Sequence, residues 1–281
     1  MTADQNESFD RSGVRIRVID RDRDLRERSA PGPARRGVFL IPATITSLGL
    51  LAGFYSLVSS INGHFELAAL LIVVSFVCDG LDGRVARASR ASSQFGVELD
   101  SLSDMVAFGV APAGLIYVWA MRDVASWSWV LSGMFVICAA LRLARFNVQA
   151  GTVDKHRFVG LPVPGAAAVI AGLTLAYSYF EIDAARTICA VSIVLTATLA
   201  FLMISRVPYP SFKTLSPRNV ATLETMVLIL VVVAFVFVMP QLSAFLGSTA
   251  YMLSGPVLML RGERSEPPVP AVSNDQRSAS A

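Results

Sequence analysis

The chain has 281 residues and a formal net charge of +3, with 54% hydrophobic but only 16% charged residues. Ordinary globular chains carry about 25% charged residues. Apolar residues gathered into long blocks, with the charge between them, exclude a soluble domain and indicate a polytopic membrane protein.

In chain order, residues 1–37 hold nine Arg and seven Asp or Glu, with Pro31 and Pro33 near the end. They read as a disordered cytoplasmic arm, with a short interfacial helix over 14–25 as the alternative. Eight spans follow, an all-α membrane bundle: 38–60, 65–78 with a polar continuation to 88, 99–121, 127–150, 162–180, 185–204, 220–239 and 242–260. Residues 262–281, with Pro267, Pro268 and Pro270, read as a second disordered tail. The second span reaches full length only if Asp79, Asp82 and Arg84 lie inside it. Ionisable groups in a span are costly and usually line a cavity. Gly49 and Gly53 form G-x-x-x-G in the first span, a pattern for close helix packing.

Cytoplasmic termini and eight spans put all of the 24 Lys and Arg except Arg122 and Arg186 on one side. That split fits the positive-inside rule. It makes the net charge a matter of topology and anionic headgroups rather than nucleic acid. Cys78, Cys138 and Cys189 fall in apolar spans without metal-ligand spacing, and read as small buried hydrophobes. His64 and His156 fall in connections.

Chemistry concentrates in the stretch from Asp79 to Asp104, DGLDGRVARASRASSQFGVELDSLSD. Asp79 and Asp82 are spaced i,i+3, and Asp100 and Asp104 i,i+4, so each pair shares a helical face. If the two helices pack together, four carboxylates converge. Divalent cations would relieve the repulsion, and carboxylate oxygens suit Mg²⁺ or Mn²⁺. Two such ions would grip a pyrophosphate and stabilise its leaving oxygen. Gly83, one turn from Asp79, clears space for a phosphate, and Arg87 offers it a planar fork. The alternative on spacing alone is an ion-paired structural cluster between helices.

This stretch resembles the CDP-alcohol phosphotransferase signature D-x-x-D-G-x-x-A-R-x₈-G-x-x-x-D-x-x-x-D. Asp79, Asp82, Gly83, Ala86, Arg87, Gly96, Asp100 and Asp104 occupy every fixed position. The resemblance implies a six-helix core within 38–213, two added helices within 214–261, and a site at the cytoplasmic face of a bacterial membrane. It implies a pair of Mg²⁺ or Mn²⁺ ions on Asp79, Asp82 and Asp100, with Asp104 as a further ligand and general base. It assigns the phosphates of CDP-diacylglycerol to Gly83 and Arg87, a nucleotide contact to Ser93, and homodimeric assembly. Thr46 matches a position near the start of the first span, where Ala43 and Gly49 stand in place of the expected Asn. A nucleotide contact and a helix-packing role are both open for Thr46.

The acceptor is read from other segments. The runs LDSLSDMVAFGVAPA at 99–113, LRLARFN at 141–147, GLPVP at 160–164 and YPSFK at 209–213 resemble the serine-using bacterial branch of the family. They imply L-serine as acceptor, and the Asp-Pro and Asp-Lys pairs that glycerophosphate-using relatives tend to show in the 99–113 region are absent from it. A zwitterionic acceptor needs a cation near its carboxylate. Arg142 and Arg145 sit at membrane depth on the catalytic side and serve serine, the donor pyrophosphate or lipid headgroups. Asn147 is an adjacent polar contact or a helix cap. Inositol phosphate or glycerol phosphate as acceptor, and a divalent-cation transporter, are the rival readings. A transporter would spread its carboxylates over several helices at mid-bilayer, often in two related halves.

Overall fold

The computed structural model describes residues 40–89, 94–123, 126–149, 158–180, 185–209 and 238–260. Seven long helices occupy them. They are α1 (Leu40–Ile61), α2 (Phe65–Ser89), α3 (Gln94–Met121), α4 (Ser128–Gln149), α5 (Val163–Phe180), α6 (Ala185–Ile204) and α7 (Pro240–Leu260). The expected 220–239 span, Ser93, the arm and the tail lie outside the described residues, apart from the last two positions of that span. Six helices are long and apolar enough to cross a membrane. The other is α2, whose C-terminal half carries Asp79, Asp82, Arg84 and Arg87.

α1 lies along α2 and α3, α5 along α2 and α7, and α4 along α6. The most enclosed is α5, whose sequence VPGAAAVIAGLTLAYSYF is rich in small residues. Lipid tails are as apolar as leucine, so burial alone does not drive helices together in a bilayer. Close packing of small residues does. Outward-facing Leu48, Leu51, Phe54, Val77, Ile137, Leu141, Val194 and Phe201 are all exposed, which requires a lipid surround. Six apolar helices with such faces mark an integral membrane protein.

Glycines set the closest approaches. A Cβ on Gly53 would stand 2.6 Å from the Ala107 Cα, so α1 meets the backbone of α3 there. Alanine is favoured over glycine inside a helix by about 1 kcal/mol. Overpacking costs about 1–3 kcal/mol. Because the obstacle is backbone, the second effect wins. Gly53→Ala is therefore expected to lower the melting temperature of the solubilised protein, and an unchanged or higher value would mean that α1 moves aside freely.

α3 is not uniform. Its α-helical start, Gln94–Asp104, passes into π-helical turns at Met105–Val110 and again at Tyr117–Met121. The Ala111 N–H donates to Val106 five residues back. Pro112 supplies a reason, since its ring would press on the carbonyl four residues earlier and it has no N–H to donate. Such widened turns are frequent at functional sites, and this one begins directly after Asp104.

A two-residue antiparallel pairing, Phe158–Val159 with Pro208–Tyr209, ties the entry of α5 to the exit of α6. Gly160 turns out of it with φ +83°, and a Cβ there would meet the Met203 carbonyl oxygen at 2.7 Å. Only glycine suits both conditions. Tyr209 is fully buried, packs against Gly255 and donates its hydroxyl to the Met252 carbonyl at 3.1 Å. Gly160 of the GLPVP run and Tyr209 of the YPSFK run are thus structural, and Tyr209 latches α7 onto the bundle.

Candidate active site

α2 and α3 are joined by a short connection, so the end of one lies beside the beginning of the other. The i,i+3 and i,i+4 spacings then turn both carboxylate pairs toward the same space. Asp79, Asp82 and Asp100 each bring an oxygen within 4.8 Å of the others. Asp104 lines the same recess but stands outside that three-oxygen group. The floor is α1, which contributes Thr46 and Gly49.

The recess is braced by hydroxyls. Thr46 Oγ1 lies 2.6 Å from Asp82 Oδ2 and 3.0 Å from the Pro42 carbonyl oxygen. With one proton it donates to one of them at a time, and the carboxylate is the nearer and stronger acceptor. Ser103 donates to the Thr46 carbonyl at 3.2 Å, and Ser75 donates to the Gly49 carbonyl at 2.9 Å. Asn147 donates to Ser101 Oγ at 2.9 Å, linking α4 to the helix that carries Asp100.

None of the four carboxylates makes a salt bridge among the described residues. Two unit charges 4.8 Å apart repel by about 3.5 kcal/mol even at an effective dielectric of roughly 20. A divalent cation is the fitting partner. All three grouped ligands are hard oxygens, and no Cys or His belongs to the group.

Arg142 is the cation whose charge acts on Asp104 from α4. Its Nε is buried and has no hydrogen-bond partner among the described residues. A buried guanidinium nitrogen left unpaired is costly, so this one is available to a ligand. Arg145 is exposed whereas Arg142 is half-buried, and neither arginine lines the recess itself. On the other flank, the Arg87 guanidinium lies back over Gly83, 3.5 Å from where a Cβ would stand. That is ordinary contact distance, so packing alone does not require glycine at 83.

Spacing brought out Asp79, Asp82, Asp100 and Asp104, and the structure gathers them. Thr46 touches Asp82 directly. Three contributors were missed. Ser75 stands one turn before Asp79 and Ser103 one residue before Asp104, positions that were signals in hindsight. Tyr251 approaches Arg142 from α7, and nothing in its local sequence marks it.

A family model described as CDP-alcohol phosphatidyltransferase matches residues 39–204. The chain belongs to this family. The matched region contains α1–α6, and α7 lies beyond it. The chain is 34% identical to a CDP-diacylglycerol–serine O-phosphatidyltransferase of Helicobacter pylori over 223 residues, 78% of this chain and 90% of the relative. It is 34% identical over 250 residues to the protein of that name in Mycobacterium tuberculosis, 86% of each chain. It is 38% identical over 172 residues to an archaetidylserine synthase of Methanothermobacter thermautotrophicus, 60% of this chain and 69% of the relative. As a CDP-alcohol phosphatidyltransferase the chain is a membrane-embedded transferase enzyme.

Proposed function

We propose that this enzyme transfers the phosphatidyl group of CDP-diacylglycerol to L-serine, forming phosphatidylserine and CMP. The observation that carries the reading is the convergence of Asp79, Asp82 and Asp100 in a chain whose relatives are named for serine as acceptor. The site faces the cytoplasmic leaflet of a bacterial membrane, where the arginine-rich connections lie, and the donor enters it sideways from lipid. Assembly as a homodimer belongs to the same proposal.

Asp79, Asp82 and Asp100, with Asp104 beside them, hold two Mg²⁺ or Mn²⁺ ions. Such ions neutralise a pyrophosphate and stabilise a departing phosphate. Gly83 and Arg87 receive the donor phosphates, and Ser93 contacts the nucleotide. Thr46 holds Asp82 in place rather than touching the nucleotide. Arg142 pairs with serine's carboxylate through its free Nε, and Arg145 meets headgroups at the surface.

Serine's hydroxyl oxygen attacks the phosphorus nearer the diacylglycerol. A new P–O bond forms, the bond to the CMP phosphate breaks, and CMP leaves with the electron pair. Asp104 takes the hydroxyl proton. A carboxylate is a weak base for an alcohol, so proton transfer is concerted with attack. Positioning and charge neutralisation supply most of the acceleration, as in phosphoryl transfer generally.

The test is CMP release by purified protein from CDP-diacylglycerol with Mg²⁺ or Mn²⁺, offering L-serine, glycerol 3-phosphate or inositol phosphate. Serine-dependent release is the expected result. Release with another acceptor would keep the family and overturn the serine assignment. No release with any of them would return weight to ion transport.

A further inference from the structure

A cavity of about 510 Å³ runs between α2, α5 and α7, with Phe108 of α3 at one end. Its volume is that of a small-molecule site, which is roughly 300–1,000 Å³. Val73 and Phe76 of α2, both exposed, form its outer lip. Its serines spend their protons inside α7. Ser243 Oγ donates to the Pro240 carbonyl at 2.9 Å, and Ser248 Oγ to the Ala244 carbonyl at 2.7 Å, both within their own helix. Apart from Tyr251 the rest of the lining is apolar, so the cavity suits a hydrocarbon.

Two observations choose the occupant. Phe108 lines both this cavity and the carboxylate recess, so the polar and apolar sites share a wall. A molecule with a phosphate head and a hydrocarbon tail fits the two together. The second concerns the glycines. A Cβ on Gly172 would meet the Phe245 Cα at 2.8 Å, so that glycine serves the packing of α5 on α7. A Cβ on Gly247 would meet no atom of the described residues within 4 Å. Among those residues the space over Gly247 is not used for helix packing, and it opens into the cavity that Gly247 lines.

We propose that α7, which lies outside the family-matched region, walls a seat for one acyl chain of the donor lipid, with Gly247 setting the seat's width. The inference rests on the reading of the donor as a diacyl lipid. A chain leaving the bilayer for this seat exchanges one apolar surrounding for another and gains little from burial. The seat therefore selects by shape: it admits chains that fit and holds the headgroup in register with the carboxylates.

The experiment uses the full-length protein and Gly247→Leu, each assayed with dioleoyl and with dihexanoyl CDP-diacylglycerol. A six-carbon chain stops short of a leucine that a long chain must displace. The expected result is a fall of about tenfold in the ratio of kcat/KM for the dioleoyl donor to that for the dihexanoyl donor. An unchanged ratio overturns the proposal, including the case in which both donors lose activity equally because residues 220–239 of this chain fill the cavity. Should the variant fail to fold, wild-type protein is irradiated with a donor carrying a mid-chain diazirine. Adducts within 243–251, competed by dioleoyl CDP-diacylglycerol and not by phosphatidylglycerol, support the seat. Adducts elsewhere only, or equal competition by the bulk lipid, sink it. If wild type turns over no donor with serine, the acceptor assignment fails, while the photolabelling still reports on the seat.

Discussion

Chelation of divalent cations is expected to stop CMP release completely, and Mg²⁺ or Mn²⁺ to restore it, whereas Asp82→Asn is expected to stay at least about a thousandfold down at any metal concentration. A thousandfold is about 4 kcal/mol of barrier, within the several kcal/mol that a metal supplies by stabilising charge. Asp82 is the most telling choice of the three grouped ligands because it is buried and its Oδ2 is held by Thr46. Asparagine keeps a carbonyl oxygen for that hydrogen bond, so the variant changes charge more than shape.

Melting curves give this prediction a readout that activity does not. Without metal, wild type carries three mutually repelling carboxylates within 4.8 Å. Removing one charge should raise the metal-free melting temperature of Asp82→Asn above that of wild type. Mn²⁺ should stabilise wild type by binding the folded state and should stabilise the variant much less. If instead the variant melts lower without metal and still gains from Mn²⁺, the cluster is structural and the ion lies elsewhere.

Much of this site was readable because a helix turns sequence spacing into direction. Asp79 with Asp82, and Asp100 with Asp104, could share a space only if two consecutive helices were antiparallel neighbours, and a short connection nearly forces that. The boundaries of α2, α5 and α6 were equally plain, since long apolar runs end where charge or proline begins. Other features were not local. The π-helical turns after Asp104 arise where Pro112 and the pressure of α1 on Ala107 act together, and no window of α3 contains Gly53. Gly160 looked like part of an acceptor motif, yet its need is steric and set by carbonyls more than forty residues away. Tyr209 packs against Gly255 and Tyr251 of α7, a relation between segments with no shared pattern. The charge on α2 announced a site, but the apolar cavity beside it is made of residues that look like ordinary span.

Asp104→Asn is expected to lower kcat about a thousandfold while leaving the affinity for CDP-diacylglycerol within about threefold of wild type. The basis is a difference among the carboxylates. Asp79, Asp82 and Asp100 form the close oxygen group, and Asp104 lines the recess without joining it. The charge that acts on it from α4 is that of Arg142, proposed here to hold serine's carboxylate. An acceptor anchored on Arg142 brings its hydroxyl toward Asp104, so the two residues divide the tasks of holding serine and taking its proton. General bases contribute typically 10²–10⁴-fold, and asparagine is nearly isosteric but has no basic oxygen. Donor affinity measured without serine, alongside single-turnover CMP release with serine, separates the roles. Lost turnover with intact binding assigns the proton to Asp104. Equal loss of both, recovered at high Mn²⁺, would make Asp104 chiefly a metal ligand and leave deprotonation to another group. Arg142→Lys then provides the complementary measurement. It keeps the charge but not the Nε–H donor, so the KM for serine should rise about tenfold with the KM for the donor little changed. A rise confined to the donor would move Arg142 to the pyrophosphate and remove the reason for placing serine beside Asp104.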